Sequence, residues 1–415
     1  MKLKPYPAYK ESGVKWLGQV PNAWVVGSIR HNLDKVFNGQ TATQIDEDEN
    51  TVPVTRIETI SIGVINEARL GFISKDDARN DMKLQKGDIL FSNINSLSMI
   101  GNCAQYNEDR VIYAGMNLLT LRPAININKK WAFWVVRSNL FRQVVEALAK
   151  PSINQASISQ SSLMSIVIAT PSLNEQIKIS NFLDRETGKL DTLISKQEQL
   201  IDRFNERIIA TVMGALLSTD TQYIRLVHVC EVISRPVNQS SENAFTRLGV
   251  LNRGRGLFKR EETDSEDMGD SDFFWVKNGD LVLSGQFAWE GSVAMANDEH
   301  EGCVVSHRFP IIKGKAGIVL TEYLLALFMT SHGDFLLNEN SRGSAGRNRP
   351  LNMSLLLKEK IPIASMAIQN KVANLLRLQK KLKDKASIQI DLLKEHRTAL
   401  ISAAVTGKID VREAA

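Results

Sequence analysis

The chain repeats itself, and the repeat constrains the fold more than any composition figure does. Lys86-Gly-Asp-Ile-Leu-Phe-Ser92 returns as Asn278-Gly-Asp-Leu-Val-Leu-Ser284, an offset of 192. Ile168-Ala-Thr-Pro-Ser-Leu-Asn-Glu-Gln176 returns as Ile361-Pro-Ile-Ala-Ser-Met-Ala-Ile-Gln369, an offset of 193 that Lys178/Lys371, Asn181/Asn374 and Leu183/Leu376 continue. Leu200-Ile-Asp-Arg-Phe-Asn-Glu206 then falls opposite Gln389-Ile-Asp-Leu-Leu-Lys-Glu395 at 189, a slip of about one helical turn. A Gly-Asp pair alone marks any turn before a strand. An ordered series of matches at nearly one spacing marks a duplication. A chain of 415 residues is also too long for one ordinary core.

Each half follows one plan. A region of β-formers and turn residues comes first: Val52–Ile57, Ile89–Phe91 and Val111–Leu121, then Phe273–Val276, Leu281–Leu283, Cys303–Phe309 and Pro310–Ile312. A short helix is predicted over Trp131–Leu148 or Thr321–Leu337, then a strand ending near Ile168 or Ile363. A long helix closes each half. In the first, Ser172-Leu-Asn-Glu175 after Pro171 predicts a capping box. Leu190, Ile194, Gln197, Ile201, Phe204 and Ile208 step by four and three, as a coiled-coil seam does. Val372, Leu375, Gln379, Leu382, Ala386, Gln389, Leu393, His396 and Leu400 step in the same way.

Such helices can lie on their own domains or pair with each other. Length, charged flanks and polar seam residues (Gln197, Gln379, Gln389, His396) favour antiparallel pairing. A helix of about 40 residues spans about 60 Å, so the pair would act as a spacer. The expected fold is α+β: two mixed α/β domains in tandem, separated by two long helices pairing as an antiparallel coiled coil, with a pseudo-two-fold repeat. The boundaries read as 1–170 for the N-terminal segment and first domain and 171–218 for the first long helix. The second domain then takes 219–363, and the second helix and tail 364–415.

Composition excludes more than it assigns. Hydrophobic content of 43% and charged content of 23% are globular values, which argues against long disordered tails. Met1-Lys-Leu-Lys-Pro5 leads into no apolar run, and no segment reaches the roughly 18–20 residues that span a bilayer, so a cytoplasmic protein is expected. Cys103, Cys230 and Cys303 are far apart and without histidine at ligand spacing, which fits reduced thiols rather than zinc. The net charge of +5 is a weak argument for a nucleic-acid partner. Its distribution says more: acidic runs at Asp46-Glu-Asp-Glu49 and between Glu261 and Asp272 alternate with basic clusters at Arg253–Arg260 and Arg342–Arg349. No P-loop, dinucleotide fingerprint, nucleophile elbow, zinc-protease motif or amino-methyltransferase N/D-P-P-F/Y signature occurs. The six histidines are isolated, so no catalytic or metal residues are expected.

Three segments resemble a known family. Tyr9-Lys-Glu-Ser-Gly-Val-Lys-Trp-Leu-Gly-Gln-Val-Pro-Asn-Ala-Trp24 resembles the opening of specificity (S) subunits of type I restriction–modification systems. Pro171-Ser-Leu-Asn-Glu-Gln176, Phe182-Leu-Asp-Arg-Glu-Thr-Gly-Lys-Leu-Asp191 and Lys196-Gln-Glu-Gln-Leu-Ile201 look like that family's first conserved helix. Leu392-Leu-Lys-Glu-His-Arg-Thr-Ala-Leu-Ile-Ser-Ala-Ala-Val-Thr-Gly407 looks like its closing helix. One departure is that the second copy of the proline-led element is degraded to Ala364-Ser-Met-Ala-Ile-Gln369, with a helix shorter by about a turn.

The resemblance implies a non-catalytic subunit with two target recognition domains, each reading one half of a bipartite double-stranded DNA sequence. It implies a helix pair that sets the gap and docks two methyltransferase (M) subunits, joined by restriction/translocase (R) subunits. S-adenosylmethionine, ATP and magnesium would belong to those partners. Trp16, Leu17 and Trp24 would pack, completing the second domain's junction with the coiled coil in a circular arrangement.

Reading DNA takes loops that reach base edges, flanked by cations that hold phosphate. In the first half the candidates are Ser92, Asn93, Asn95 and Ser96, with Asn102 and Asn117 nearby and Arg56 and Lys150 as weaker ones. In the second half they are Ser284 and Gln286, in the matched loop that runs to Trp289, together with two basic loops. One basic loop holds Arg253, Arg255, Lys259 and Arg260, the other Arg342, Arg347 and Arg349. An ordinary polar turn or a solvated charged loop would look the same. Two other classes stay open: a coiled-coil scaffold whose α/β domains bind protein, and a stand-alone nuclease or methyltransferase.

Overall fold

The computed structural model describes residues 4–153, 155–216, 221–238, 244–252, 254–269, 271–343 and 349–414. Two compact units emerge: Met1–Ser195 with Gln389–Ala415, and Lys196–Ile388.

The first unit is built on a sheet ordered Leu33–Asn38, Leu119–Pro123, Ile89–Phe91, Cys103–Gln105, with every neighbour antiparallel. In the second unit the order is Cys230–Ile233, Ile311–Gly314, Leu281–Leu283, Val293–Met295, again antiparallel throughout. The sequence repeat is therefore a repeat of strand order. Strand Val111–Leu121 is shorter than its composition predicts and starts only at Leu119. Asn117, with φ +68, turns the chain just before it.

Each predicted short helix is in fact two. Lys129–Arg137 stops at Ser138 and Asn139–Leu148 resumes; Thr321–Phe328 and Ser331–Glu339 break around Thr330. At both breaks one hydroxyl serves both helices. Ser138 Oγ donates to Val135 O (2.7 Å) and accepts from Phe141 N (3.3 Å). Thr330 Oγ1 donates to Leu327 O (2.7 Å) and accepts from Gly333 N (3.2 Å). A hydroxyl that caps the next helix favours the extended backbone that ends the previous one.

The repeated Gly-Asp turn carries a buried charge. Asp88, 1% exposed, accepts from Arg122 Nε (2.8 Å), Arg122 Nη2 (2.7 Å) and Gln85 N (2.8 Å). Asp280, fully buried, accepts from Arg235 Nη1 (2.6 Å), Arg235 Nη2 (3.1 Å) and Lys277 N (2.8 Å). The fork geometry satisfies the carboxylates that the fold takes out of water.

The two long helices run Leu173–Leu216, 44 residues, and Met366–Val405, 40 residues, a difference of about one turn. Each begins on a buried glutamine. Gln176 Oε1 accepts from Asn128 N (2.8 Å) while its Nε2 donates to Pro171 O (2.9 Å). Gln369 Oε1 accepts from Leu320 N (2.8 Å) while its Nε2 donates to Ala364 O (2.9 Å) and Ile318 O (3.2 Å). The degraded second copy keeps the serine and the glutamine, and in both copies the glutamine ties the start of the long helix to the residue that caps the first short one. The capping box forms by half. Ser172 Oγ accepts from Glu175 N (3.4 Å), whereas the Glu175 carboxylate accepts from the Tyr6 hydroxyl (2.7 Å).

The seam residues of the first helix are its less exposed face, as read. In the second helix the face drifts: Gln389 and His396 are exposed, and Ile390 and Arg397 take the sheltered positions. Stepping by four rather than three after Ala386 keeps pace with the natural helical turn.

The N-terminal segment packs as expected: Leu17, Val20 and Trp24 are buried in the first unit's core with Phe182, Ile401, Ala404 and Val405. Tyr9 Oη donates to Gly407 O (3.0 Å), and Asp410 N donates to Lys4 O (2.8 Å). Gly407 takes φ +71 at the end of the second helix, where a Cβ would collide with Pro21. Among the described residues no helix is long and apolar enough to cross a membrane. No three His, Cys, Asp or Glu among them are grouped to hold a metal ion.

Candidate nucleic-acid interface

The residues from Ala244 to Asp264 form a β-hairpin, not a basic loop. Strand Ala244–Val250 pairs antiparallel with Leu257–Asp264, so Lys259 and Arg260 are strand residues and Arg255 sits in the turn. Arg253 lies outside the described residues. Leu257–Asp264 is an edge strand and is mostly exposed. The register slips between Thr246 and Leu248: Thr246 faces Glu262, Leu248 faces Lys259, and both Arg260 and Glu261 stand against Arg247. A bulge of this kind re-aims side chains.

Here Arg247 and Arg260 turn into one groove of about 480 Å³ that Arg308, Ser306, Ser284 and Gln286 also line. Among the described residues no carboxylate lines it and none pairs with these three guanidinium groups. Arg247 Nε is enclosed without a partner. Arg260 also lies over the Phe258 ring, 5.9 Å from its centre.

The loop after strand Leu281–Leu283 forms one rim. Ser284 is 3% exposed and its Oγ accepts from Phe287 N (3.1 Å), so it closes the loop and does not project from it. Trp289 Nε1 donates to Gln286 O (3.2 Å). Gly285 N donates to Arg308 O (2.6 Å), and a Cβ at 285 would collide with that carbonyl. Glycine is thus what lets the Gln286 loop and the Arg308 turn meet. Gln286, half-buried, and Phe287, 42% exposed, line the groove with the arginines.

The remaining candidates divide. Arg255 is bound to its neighbour Asn252 and lines a second cleft of about 1010 Å³ in the same unit, with Trp289, Asn338 and Lys383. Arg349 lies 5.3 Å from the Trp289 ring centre and donates to Asn338 Oδ1 (2.9 Å). Glu290 and Asp334 also line that cleft, so its charge is mixed. Arg342 is exposed and paired with Glu339 (3.4 Å). Arg347 lies outside the described residues.

In the first unit the structure reassigns most of the amide loop. Ser92 is 1% exposed and accepts from Asn95 Nδ2 (3.1 Å). Asn93 is buried, with its backbone oxygen accepting from Ile158 N (2.9 Å). Asn102 Oδ1 accepts from Arg142 Nη1 (3.0 Å). Ser92 and Asn102 hold the loop with their side chains, whereas the buried Asn93 Oδ1 has no partner among the described residues. Asn95 and Ser96 stay partly exposed, joined by Ser96 N donating to Asn95 Oδ1 (2.8 Å). Arg56 borders a shallow site with Asp46 and Glu47, where cations have no excess. Lys150 is exposed on a short strand.

Sequence reasoning missed Arg247, Arg308 and Phe287. The signal for Arg247 was a single arginine inside the apolar strand Ala244-Phe-Thr-Arg-Leu-Gly-Val250. Arg308 left none, because only the fold brings it beside Gly285.

Residues 31–203 match the type I restriction modification DNA specificity domain. A putative type I restriction enzyme MjaX specificity subunit from Methanocaldococcus jannaschii is 36% identical over 202 residues, 47% of this chain and 47% of that protein. The type I restriction enzyme StySPI specificity subunit of Salmonella potsdam is 20% identical over 358 residues, 80% of this chain and 76% of that one. The chain thus matches about half the length of the first relative and three quarters of the second. A solved structure described as the structural basis of complex assembly and conformational transition of the type I R-M system covers 94% of this chain and 99% of its own. Its TM-score is 0.57 at 15% identity, a likeness of fold.

Proposed function

We propose that the chain, whose residues 31–203 match the type I restriction modification DNA specificity domain, is a specificity subunit that selects the DNA target for such a complex, each unit reading one half of a bipartite duplex sequence. The observation that carries this is the groove of the second unit, where Arg247, Arg260 and Arg308 converge and no carboxylate among the described residues joins them. A concave basic groove fits the ridge of a phosphodiester backbone, and such contacts set position and affinity.

On this reading the two long helices pair antiparallel as a coiled coil, set the gap between half-sites, and dock two M subunits. Two contacts support it. Arg397 Nε lies 3.1 Å from Asp191 Oδ1 in the first unit, and Gln379 bonds Asn205 in the second. Partner numbers therefore fall in one helix as they rise in the other. Catalysis belongs to the M and R subunits, with S-adenosylmethionine, ATP and magnesium bound there, in the cytoplasm.

Titration of the chain with its M subunits against duplexes randomised in two blocks, over a series of salt concentrations, tests the proposal. Preference in both blocks and a steep salt slope are expected. A protein-binding scaffold would show no preference and a flat slope, and nothing in the groove favours it.

A further inference from the structure

We infer that Gln286 and Phe287 read an A·T base pair in the half-site of the second unit, while the groove beside them holds the backbone. The inference rests on the proposed DNA-reading role and adds the chemistry of one base pair.

Three observations carry it. The first is division of labour within one site. Arg247, Arg260 and Arg308 line one groove together with Gln286 and Phe287, so cations that suit a backbone stand beside an amide and an exposed ring. Cations hold phosphate, whereas an amide and an aromatic ring suit base edges, so one site supplies both kinds of contact.

The second is rigidity. The loop is closed from inside by Ser284 Oγ accepting from Phe287 N at 3.1 Å and by Trp289 Nε1 donating to Gln286 O at 3.2 Å. From below, Gly285 N donates to Arg308 O at 2.6 Å and Gly285 O accepts from Leu351 N at 2.8 Å. The backbone bonds of Gly285 therefore fix the distance from the Arg308 turn to the reading tip. A held loop loses little conformational freedom when it binds.

The third is the chemistry left uncommitted. The side-chain amide of Gln286 has no partner among the described residues, and Phe287 is 42% exposed. A carboxamide offers one acceptor and two donors, the complement of adenine N6–H and N7. An exposed aromatic ring next to it suits the C5-methyl group of thymine, on the same groove edge.

Base analogues test each contact separately in the full chain with its M subunits, on the target that selection yields. Replacing adenine by 7-deazaadenine removes N7, and replacing thymine by uracil removes the methyl group. Each should weaken wild-type binding at one position of one half-site, the adenine change by part of the roughly 5- to 150-fold that a whole bidentate contact is worth. Gln286→Ala should lose the 7-deazaadenine effect there, and Phe287→Ala the uracil effect, both with unchanged thermal unfolding. Arg308→Ala should weaken all duplexes alike and lower the salt slope by about one. If both half-sites are selected but neither variant alters base preference, or no A·T pair responds, the inference is overturned while the DNA-reading role stands. If no sequence is selected at all, the role itself fails.

Discussion

Asp88 and Asp280 show what a single residue contributes at the repeat. Each ends a Gly-Asp turn that looks ordinary in sequence, and each is a buried carboxylate gripped by a two-pronged arginine. The arginines differ in origin: Arg122 comes from the neighbouring strand Leu119–Pro123, Arg235 from just beyond Cys230–Ile233. Each carboxylate lifts its partner's guanidinium above the ordinary range, through the hydrogen bond first. Removing one partner leaves a buried charge alone, so Arg122→Met should destabilise the first unit by about 3 kcal/mol. Asp88→Asn in the same chain should recover part of that loss. Urea unfolding of the two variants measures both, and equal stability of wild type and single variant would refute the account.

His300 supplies a second prediction at this scale. Its Nδ1 accepts from Asn297 N at 3.1 Å, and burial holds the imidazole below its usual range. The unfolded chain therefore binds a proton near pH 6.5 that the folded chain still refuses. Stability is intact above that pH and falls as the solution is acidified below it. His300→Gln should flatten the difference between urea midpoints at pH 7.5 and pH 5.5; an unchanged difference would contradict it.

At the scale of elements, Gln176 and Gln369 tie each long helix to the first short one with buried amide bonds. Alanine at either position leaves a backbone N–H and a carbonyl unfilled, and should cost the unit about 2–3 kcal/mol. Differential hydrogen exchange should place the loss at the amides of Asn128 or Leu320; undisturbed protection there would count against the bond. These elements were readable because periodicity and end signals act over a few residues. The helices, the matched strands and the shortened second helix all follow from such signals. The breaks at Ser138 and Thr330 were not, since a capping hydroxyl inside an apolar-periodic run looks like any other polar position. Nor was the seam beyond Ala386, where steps of three and four fit equally well until packing selects Ile390 over Gln389.

The groove of the second unit belongs to a larger scale still. Arg247 reaches it through a bulge against a strand turned back by the hairpin, and Arg308 through a contact 23 residues from Gly285 in sequence. Neither distance has a local signal, which is why charge clusters pointed to Arg255 and Arg342 instead. On the proposed ruler role, lengthening both long helices together by seven residues adds about 10.5 Å, or about three base pairs of gap. Methylome sequencing of a host carrying that variant should show the same two half-sites further apart. An unchanged gap would exclude the helices as the ruler.

The first unit is assembled from two stretches, Met1–Ser195 and Gln389–Ala415, with the whole of the second unit between them. Ile401, Ala404 and Val405 belong to the same core as Val20 and Trp24. On a ribosome adding about 5–20 residues each second, that core stands open for about 10–40 s after residue 195 has emerged. The second unit, by contrast, is continuous and has all its parts at hand. The order of synthesis is then the reverse of the order of completion: the later half can close first, and the earlier half waits with apolar surface exposed.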